Sequence, residues 1–512
     1  MSLNYKSLGI LFSLNTINVI LNIAASTLMV YYFGTSRAIE VYFAATLLGT
    51  TITKLAQTGQ LTEIFVPKYH AIKAQKSQAE ASVIFAVLAN YMFLFSAVLV
   101  VVFLLLKNSV IGWLVPGFDA ASREQVYELF CYTSLLIPFQ VITSTFQGLL
   151  NAEKIYGKVE LSYTLAVLTT IGIIVFLGPT YGATVLVFSW MAGIVYQMAA
   201  IVYYLRQINY QHRFVLQTPL IGLREITHVI GATSLYVLSV QVHVFLFNGA
   251  LSLLPAGSFA IYRYAENIYG RLSMVILAPI SIVFFNEINQ QLSRMTTAEV
   301  RQFVQKSLHF SFFVCLLTFA VFWAGGQYLI WFLWGGAKFN FADVQQVYVL
   351  LCVFFGVLTI QGFNTIYRKL GVSVSNPNVQ YVAWSVAHVV SGLAAYFLIQ
   401  HFGFQGLILQ TLLHIILLTV VPVATVYTRK RAFFTGMKTS ETLRIVGCFG
   451  ASVALGFGLH QFLPLTSGFS KLEALLTGGL VCAGAGLLYL GCGFALKVAE
   501  MEVIRQKINR WL

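Results

Sequence analysis

Arg263, Glu266, Asn267, Gly270 and Arg271 stand at i, i+3, i+4, i+7 and i+8, the spacing of one face of one helix. Two guanidinium forks on such a face suit a phosphate or carboxylate ligand. The competing reading is an ion pair within the helix, in which Arg263 and Arg271 each reach Glu266 or Asn267. Three charges on one face still leave a net +1. Asn15, Asn18, Asn22 and Ser26 follow at steps of 3, 4 and 4, again one helical face. That stripe either faces a hydrated cavity or joins helices through amide hydrogen bonds. A third group is Glu40, Lys54 and Glu63, with Glu40 and Lys54 fourteen residues apart, about 21 Å along a helix. Lys54 is read as lining a hydrated cavity, against snorkelling or pairing with Glu63. Ser239, Gln241, His243 and Asn248 add polar groups to another segment, with His243 read first as a satisfied core histidine.

The elements that carry these residues are set by composition. Of 512 residues, 58% are hydrophobic and 9% charged, against about 25% charged in soluble proteins. An ordinary soluble globular protein is excluded, because the charges are clustered and leave apolar runs long enough to cross a bilayer between them. Fourteen such runs are predicted, at 8–33, 41–65, 81–106, 126–150, 159–177, 183–205, 228–253, 259–285, 304–324, 341–367, 379–399, 404–427, 443–463 and 472–496. The expected fold is therefore an all-α polytopic membrane protein.

The net charge of +14 raises the question of nucleic acid, and the location of the cations answers it. With connections numbered alternately, twenty-three of the 31 Lys and Arg fall on the side that holds both termini, five on the other, and Lys54, Arg263 and Arg271 within spans. The rule that short cytoplasmic loops carry the basic residues places both termini in the cytoplasm. The basic excess is thus a topology signal, and no nucleic-acid partner is needed. Six cysteines lie in or at the ends of spans without a C-x-x-C or a histidine at metal spacing, so no metal site is expected. No phosphate-binding G-x-x-x-x-G-K-[ST] loop occurs. No soluble domain is predicted, so catalytic residues in the aqueous phase have nowhere to go.

The connections carry a further signal. Phe33-Gly34, Glu40 and Phe43 lead to Phe65-Val66-Pro67. Pro116-Gly117-Phe118 is followed by Pro138 and Gly148-Leu149-Leu150-Asn151, and Tyr264-Ala265-Glu266-Asn267 and Gly336-Ala337-Lys338-Phe339 come later. In order and spacing the chain resembles the MurJ (MviN) lipid II flippase family of the MOP exporter superfamily. The resemblance implies two six-helix lobes, 1–220 and 221–428, around a central cavity, and two additional C-terminal helices with a cytoplasmic tail in 429–512. It implies alternating access that carries a polyprenyl-diphosphate-linked saccharide, lipid II or a similar precursor, from the inner to the outer leaflet of the bacterial cytoplasmic membrane. It implies a transporter, not an enzyme, with no cofactor beyond a coupling ion (sodium or proton) or the membrane potential, and with Glu40 and Glu63 as gating or ion-coupling carboxylates. Cavity arginines of the family are matched here by Val19, Ala25 and Asn267, while Lys54, Arg263 and Arg271 supply cations nearby. The substrate-binding set so read is Lys54, Arg263, Glu266, Asn267, Arg271, Asn15, Asn18 and Asn22. Partners implied are the lipid-linked anionic saccharide, membrane lipids and envelope-synthesis enzymes. Three alternatives stay open: an exopolysaccharide or O-antigen unit flippase, a cation-coupled small-molecule exporter of the same superfamily, and a non-transporting envelope scaffold.

Overall fold

The computed structural model describes residues 5–56, 69–217, 223–291, 295–374, 377–502 and 505. Its named elements are helices and one 3-10 turn, and the chain divides into two compact units, Met1–Ala260 and Ile261–Leu512. Among the described residues, eleven helices are long and apolar enough to cross a membrane, or twelve with one bent pair taken as a single span. This is a multi-pass membrane protein. Large apolar side chains such as Leu105, Phe176, Leu480 and Leu487 are exposed on these helices, as hydrocarbon contact requires, and backbone polar groups close within each helix.

The first unit holds α1 (Tyr5–Phe33), α2 (Arg37–Leu55), α3 (Gln78–Leu105), α4 (Lys107–Leu114), α5 (Ala120–Ser134), α6 (Ile137–Ala152), α7 (Tyr156–Tyr181), α8 (Thr184–Gln207) and α9 (Leu223–Ser252). Local chemistry sets the ends. Ser77 caps α3 by accepting from the Glu80 amide, and the Asp119 carboxylate caps α5 by accepting from the Ser122 amide at 2.8 Å. The span predicted at 126–150 is in fact a helix pair, α5 and α6, bent by 46°. Pro138 in the first turn of α6 cannot donate back to α5, so the helix breaks there. The core joins α3, α6 and α8 through Phe85, Phe146, Leu149, Ile201 and Leu205. The first unit includes α9, which lies beyond residue 220. The Gly117 amide donates to Ser252 Oγ at 3.0 Å, and a Cβ on Gly117 would lie 2.0 Å from the Ser252 carbonyl oxygen.

The second unit holds α11 (Thr297–Trp334), α12 (Phe341–Val374), α13 (Pro377–Arg429), α14 (Thr439–Phe462) and α15 (Lys471–Ala495), and most of α10 (Ser258–Gln291), whose first three residues belong to the first unit. Capping boxes start α11 (Thr296 with Glu299) and α15 (Ser470 with Glu473). At 53 residues, α13 is far longer than the roughly 20 residues one crossing needs. It is broken at Gly403, which has φ 56° and ψ −131°, a conformation open to glycine. The break falls between the spans predicted at 379–399 and 404–427. The last two helices are not detached from the rest: α14 and α15 pack along α11. Cβ atoms added to Gly325 and Gly456 would sit 2.3 Å from Cys482 Sγ and 2.9 Å from Ala324 Cβ. Small residues therefore let the backbones approach, the usual means of joining helices in lipid.

One loop cluster yields a pH prediction. Lys73 Nζ stands 2.6 and 2.7 Å from the two carboxylate oxygens of Glu153, and the Tyr69 hydroxyl donates to the same carboxylate. Burial pushes the Glu153 carboxyl up, but Lys73, Tyr69 and the nearby His70 together hold it below its usual value. A carboxylate depressed in the folded state contributes stability above its unfolded value, near pH 4, and loses it as the pH falls through the folded value. Acid unfolding of the purified protein is expected to be less steep below about pH 4 in Lys73→Met than in the parent.

Candidate functional site

The α10 face survives as a face. Asn267 and Gly270 are exposed and Arg271 half-exposed, and a Cβ at Gly270 would meet nothing within 4 Å. Arg263 Nη1 pairs with Glu266 Oε2 at 2.5 Å, with the arginine side chain 13% and the glutamate 45% exposed. The ion pair expected as the competing reading therefore exists for Arg263. Arg271 lies two turns from Arg263 on that side of the helix, next to open space at Gly270. The face can present a guanidinium and the Asn267 amide to an anion, with Glu266 holding Arg263 in place.

Glu40 is placed differently from its sequence reading. It is 1% exposed and ion-paired to Arg37 Nη1 at 2.7 Å. Its Oε1 accepts the backbone amides of Gly257, Phe259 and Ala260 at 2.8, 3.1 and 3.4 Å. Those are the orphan donors at the start of α10, where a carboxylate complements both the free N–H groups and the helix dipole. Gly257 reaches this position with φ +94°, which favours glycine. Arg37 also lies over the Phe118 ring at 4.4 Å. Glu40 is thus a joint between α2 and the start of α10, with the three amides on Oε1 and the Arg37 ion pair on Oε2.

Lys54, expected at mid-span, sits in the last turn of α2 and is exposed. A cation there complements the helix C-terminus. Glu63 lies outside the described residues.

The asparagine stripe divides. Asn15 is exposed, whereas Asn18 is buried and Asn22 half-buried against α7. Thr164 Oγ1 donates to Asn18 Oδ1 at 2.7 Å, and Asn18 Nδ2 donates to Glu160 Oε2 at 3.4 Å. Asn22 Nδ2 donates to the Asn18 carbonyl at 2.7 Å and to the Tyr163 hydroxyl at 3.5 Å. The amide-packing reading holds for these two residues. Glu160 is not among the residues singled out from the sequence; it lies one residue inside the predicted span that starts at 159. The signal was there in Tyr163 and Thr164, at i+3 and i+4 on the same face. Of the α9 residues, Ser239 and Asn248 donate to carbonyls of their own helix at 2.6 Å each, and the His243 ring stacks on Phe247. Among the described residues no group of three or more His, Cys, Asp or Glu could hold a metal ion.

Comparison with known proteins adds an independent line. A family model described as lipid II flippase MurJ matches residues 29–473. A curated protein of Buchnera aphidicola subsp. Baizongia pistaciae (strain Bp), named "Probable lipid II flippase MurJ", is 20% identical over 344 residues, 66% of this chain and 67% of that one. A solved lipid II flippase MurJ in an inward closed conformation superposes with a TM-score of 0.75 at 18% identity, covering 94% of this chain and 98% of its own. An inward-facing multidrug resistance MATE family transporter of the MOP superfamily gives a TM-score of 0.60 at 13% identity, covering 83% of this chain and 97% of its own. At these identities the superpositions describe the fold.

Proposed function

The chain belongs to the lipid II flippase MurJ family, and from that premise we propose that it translocates a polyprenyl-diphosphate-linked saccharide across the bacterial cytoplasmic membrane, with both termini in the cytoplasm. The observation that carries the proposal is the family match over 29–473, and the open, arginine-bearing face of α10 supports it. A diphosphate headgroup cannot cross hydrocarbon unaided, since burying its charges without partners costs many kcal/mol. A protein that moves it needs cationic donors along the route and a change of access, and no bond-making residues. On this reading Arg271 and Asn267 receive the diphosphate, with Arg263 held by Glu266, and Lys54 is a further cation for the substrate in the first unit. The twenty-three to five split of cations between the two sides supports the orientation. Envelope-synthesis enzymes that make and consume the lipid-linked precursor are its partners by chemistry.

A second reading has its own observation. Val19, Ala25 and Asn267 stand where the family resemblance implies arginines, so the cationic character is reduced and shifted. That favours a related lipid-linked unit, such as an exopolysaccharide or O-antigen precursor, over lipid II itself. Complementation separates the two. Expression of this chain in cells depleted of their lipid II flippase restores growth if lipid II is carried. Well-expressed protein without rescue, together with restored surface polysaccharide in a strain lacking an oligosaccharide-unit flippase, assigns the second substrate.

A further inference from the structure

If the transport cycle proposed above is driven by an ion, a carboxylate in the bilayer is the usual place to bind it, and most carboxylates in the spans are already engaged. Glu40 is met by Arg37 and three amides, and Glu266 by Arg263. Glu160 differs. It lies one turn inside α7 and is partly buried, and the one hydrogen bond its carboxylate accepts is the long contact from the Asn18 amide on Oε2, while its backbone carbonyl accepts from Thr164 Oγ1 at 2.9 Å. Among the described residues it forms no ion pair. A carboxylate partly buried in a helix apolar enough to cross a membrane is costly when charged and without an ion pair, and a bound proton removes that cost.

We propose that Glu160 is a proton-binding site, and that its protonation state sets the α1–α7 junction during transport; the second clause rests on the flippase reading, the first does not. The geometry suits gain and loss of one proton. Charged, Glu160 accepts from Asn18 at Oε2. Neutral, it keeps that bond and carries the proton on Oε1. Asn18 is fixed for the task, because Thr164 donates to its side-chain oxygen and Asn22 to its carbonyl. The surrounding charges do not substitute for the proton. The described side chains of α1 facing α7 carry amides and no charge, and Tyr163 is engaged by Asn22. On α7 itself, Lys158 is turned to Gln207 at 2.5 Å and to the Tyr204 ring, both on α8. Tyr196, Tyr203 and Arg206 are the other titratable or charged groups of α8. At the end of α6, Glu153 is held by Lys73 and Tyr69.

The test is an infrared pH titration of the full-length protein in lipid, following the carboxylic C=O band. The parent is expected to show a titrating band that Glu160→Gln lacks. Asn18→Ala, which removes the donor to the charged form, is expected to move the band's midpoint to higher pH. An undiminished band in Glu160→Gln, an unmoved midpoint in Asn18→Ala, or a response of the band to Na+ at constant pH would overturn the site. In vesicles under an imposed pH difference, the parent's lipid flipping is expected to respond and that of Glu160→Gln not to respond. A parent that flips no lipid-linked saccharide sinks the transport reading while the infrared band still decides the proton site.

Discussion

Glu40→Ala is expected to lower the stability of the protein by about 3 kcal/mol and to abolish its accumulation at elevated temperature. The carboxylate is 1% exposed and takes three backbone amides at the start of α10 together with the Arg37 guanidinium. Alanine leaves those buried amides without an acceptor and Arg37, itself 31% exposed, without its anion. Glu40→Gln keeps an acceptor oxygen but not the charge, so it is expected to recover roughly half of the loss. Thermal unfolding of detergent-purified variants, followed by tryptophan fluorescence, reads the order parent, Gln, Ala. Equal melting of all three would contradict the joint.

The second large effect is on transport. Arg263→Ala combined with Arg271→Ala is expected to lower flipping by at least about a hundredfold, since each charge-assisted bond to a phosphate is worth roughly 1.5–3 kcal/mol. The single variants separate the roles. Arg271→Ala removes a guanidinium beside the open surface at Gly270 and is expected to cost more than tenfold. Arg263→Ala removes the partner of Glu266 and leaves an acidic group on an anion route, so Arg263→Ala with Glu266→Gln is expected to flip faster than Arg263→Ala alone. Unfolding curves matching the parent are the control. A double arginine variant that flips normally would remove α10 from the substrate route.

How far the sequence discloses this molecule depends on whether a residue's partner is near it in the chain. Arg263 and Glu266 are three apart on one helix, so periodicity alone exposes both the face and its internal pair. The same holds for the break at Gly403, whose glycine divides an apolar stretch too long for one crossing. Glu40 was visible as an acidic residue at a helix start, but its acceptor role was not. Its amide partners lie more than two hundred residues away, and a backbone donor leaves no mark in the sequence. Asn18 and Glu160 meet across 142 residues, and the stripe of asparagines disclosed only one half of that contact. The bend between α5 and α6 comes from Pro138, which reads from sequence as punctuation inside a span rather than as a 46° break. Packing of α14 and α15 against α11 rests on the glycines at 325, 456 and 478. Those are legible as small residues but not as contacts.

The central claim is that this chain carries a polyprenyl-diphosphate-linked saccharide between leaflets, and reconstitution tests it most directly. Purified protein is placed in vesicles holding a fluorescent lipid-linked saccharide, and an impermeant quencher reports the fraction of label in the outer leaflet. With the parent, label initially confined to the inner leaflet is expected to become quenchable, and in the double arginine variant to stay protected. Label that remains protected with correctly folded parent, for lipid II and for oligosaccharide-linked polyprenyl diphosphates alike, would contradict the account.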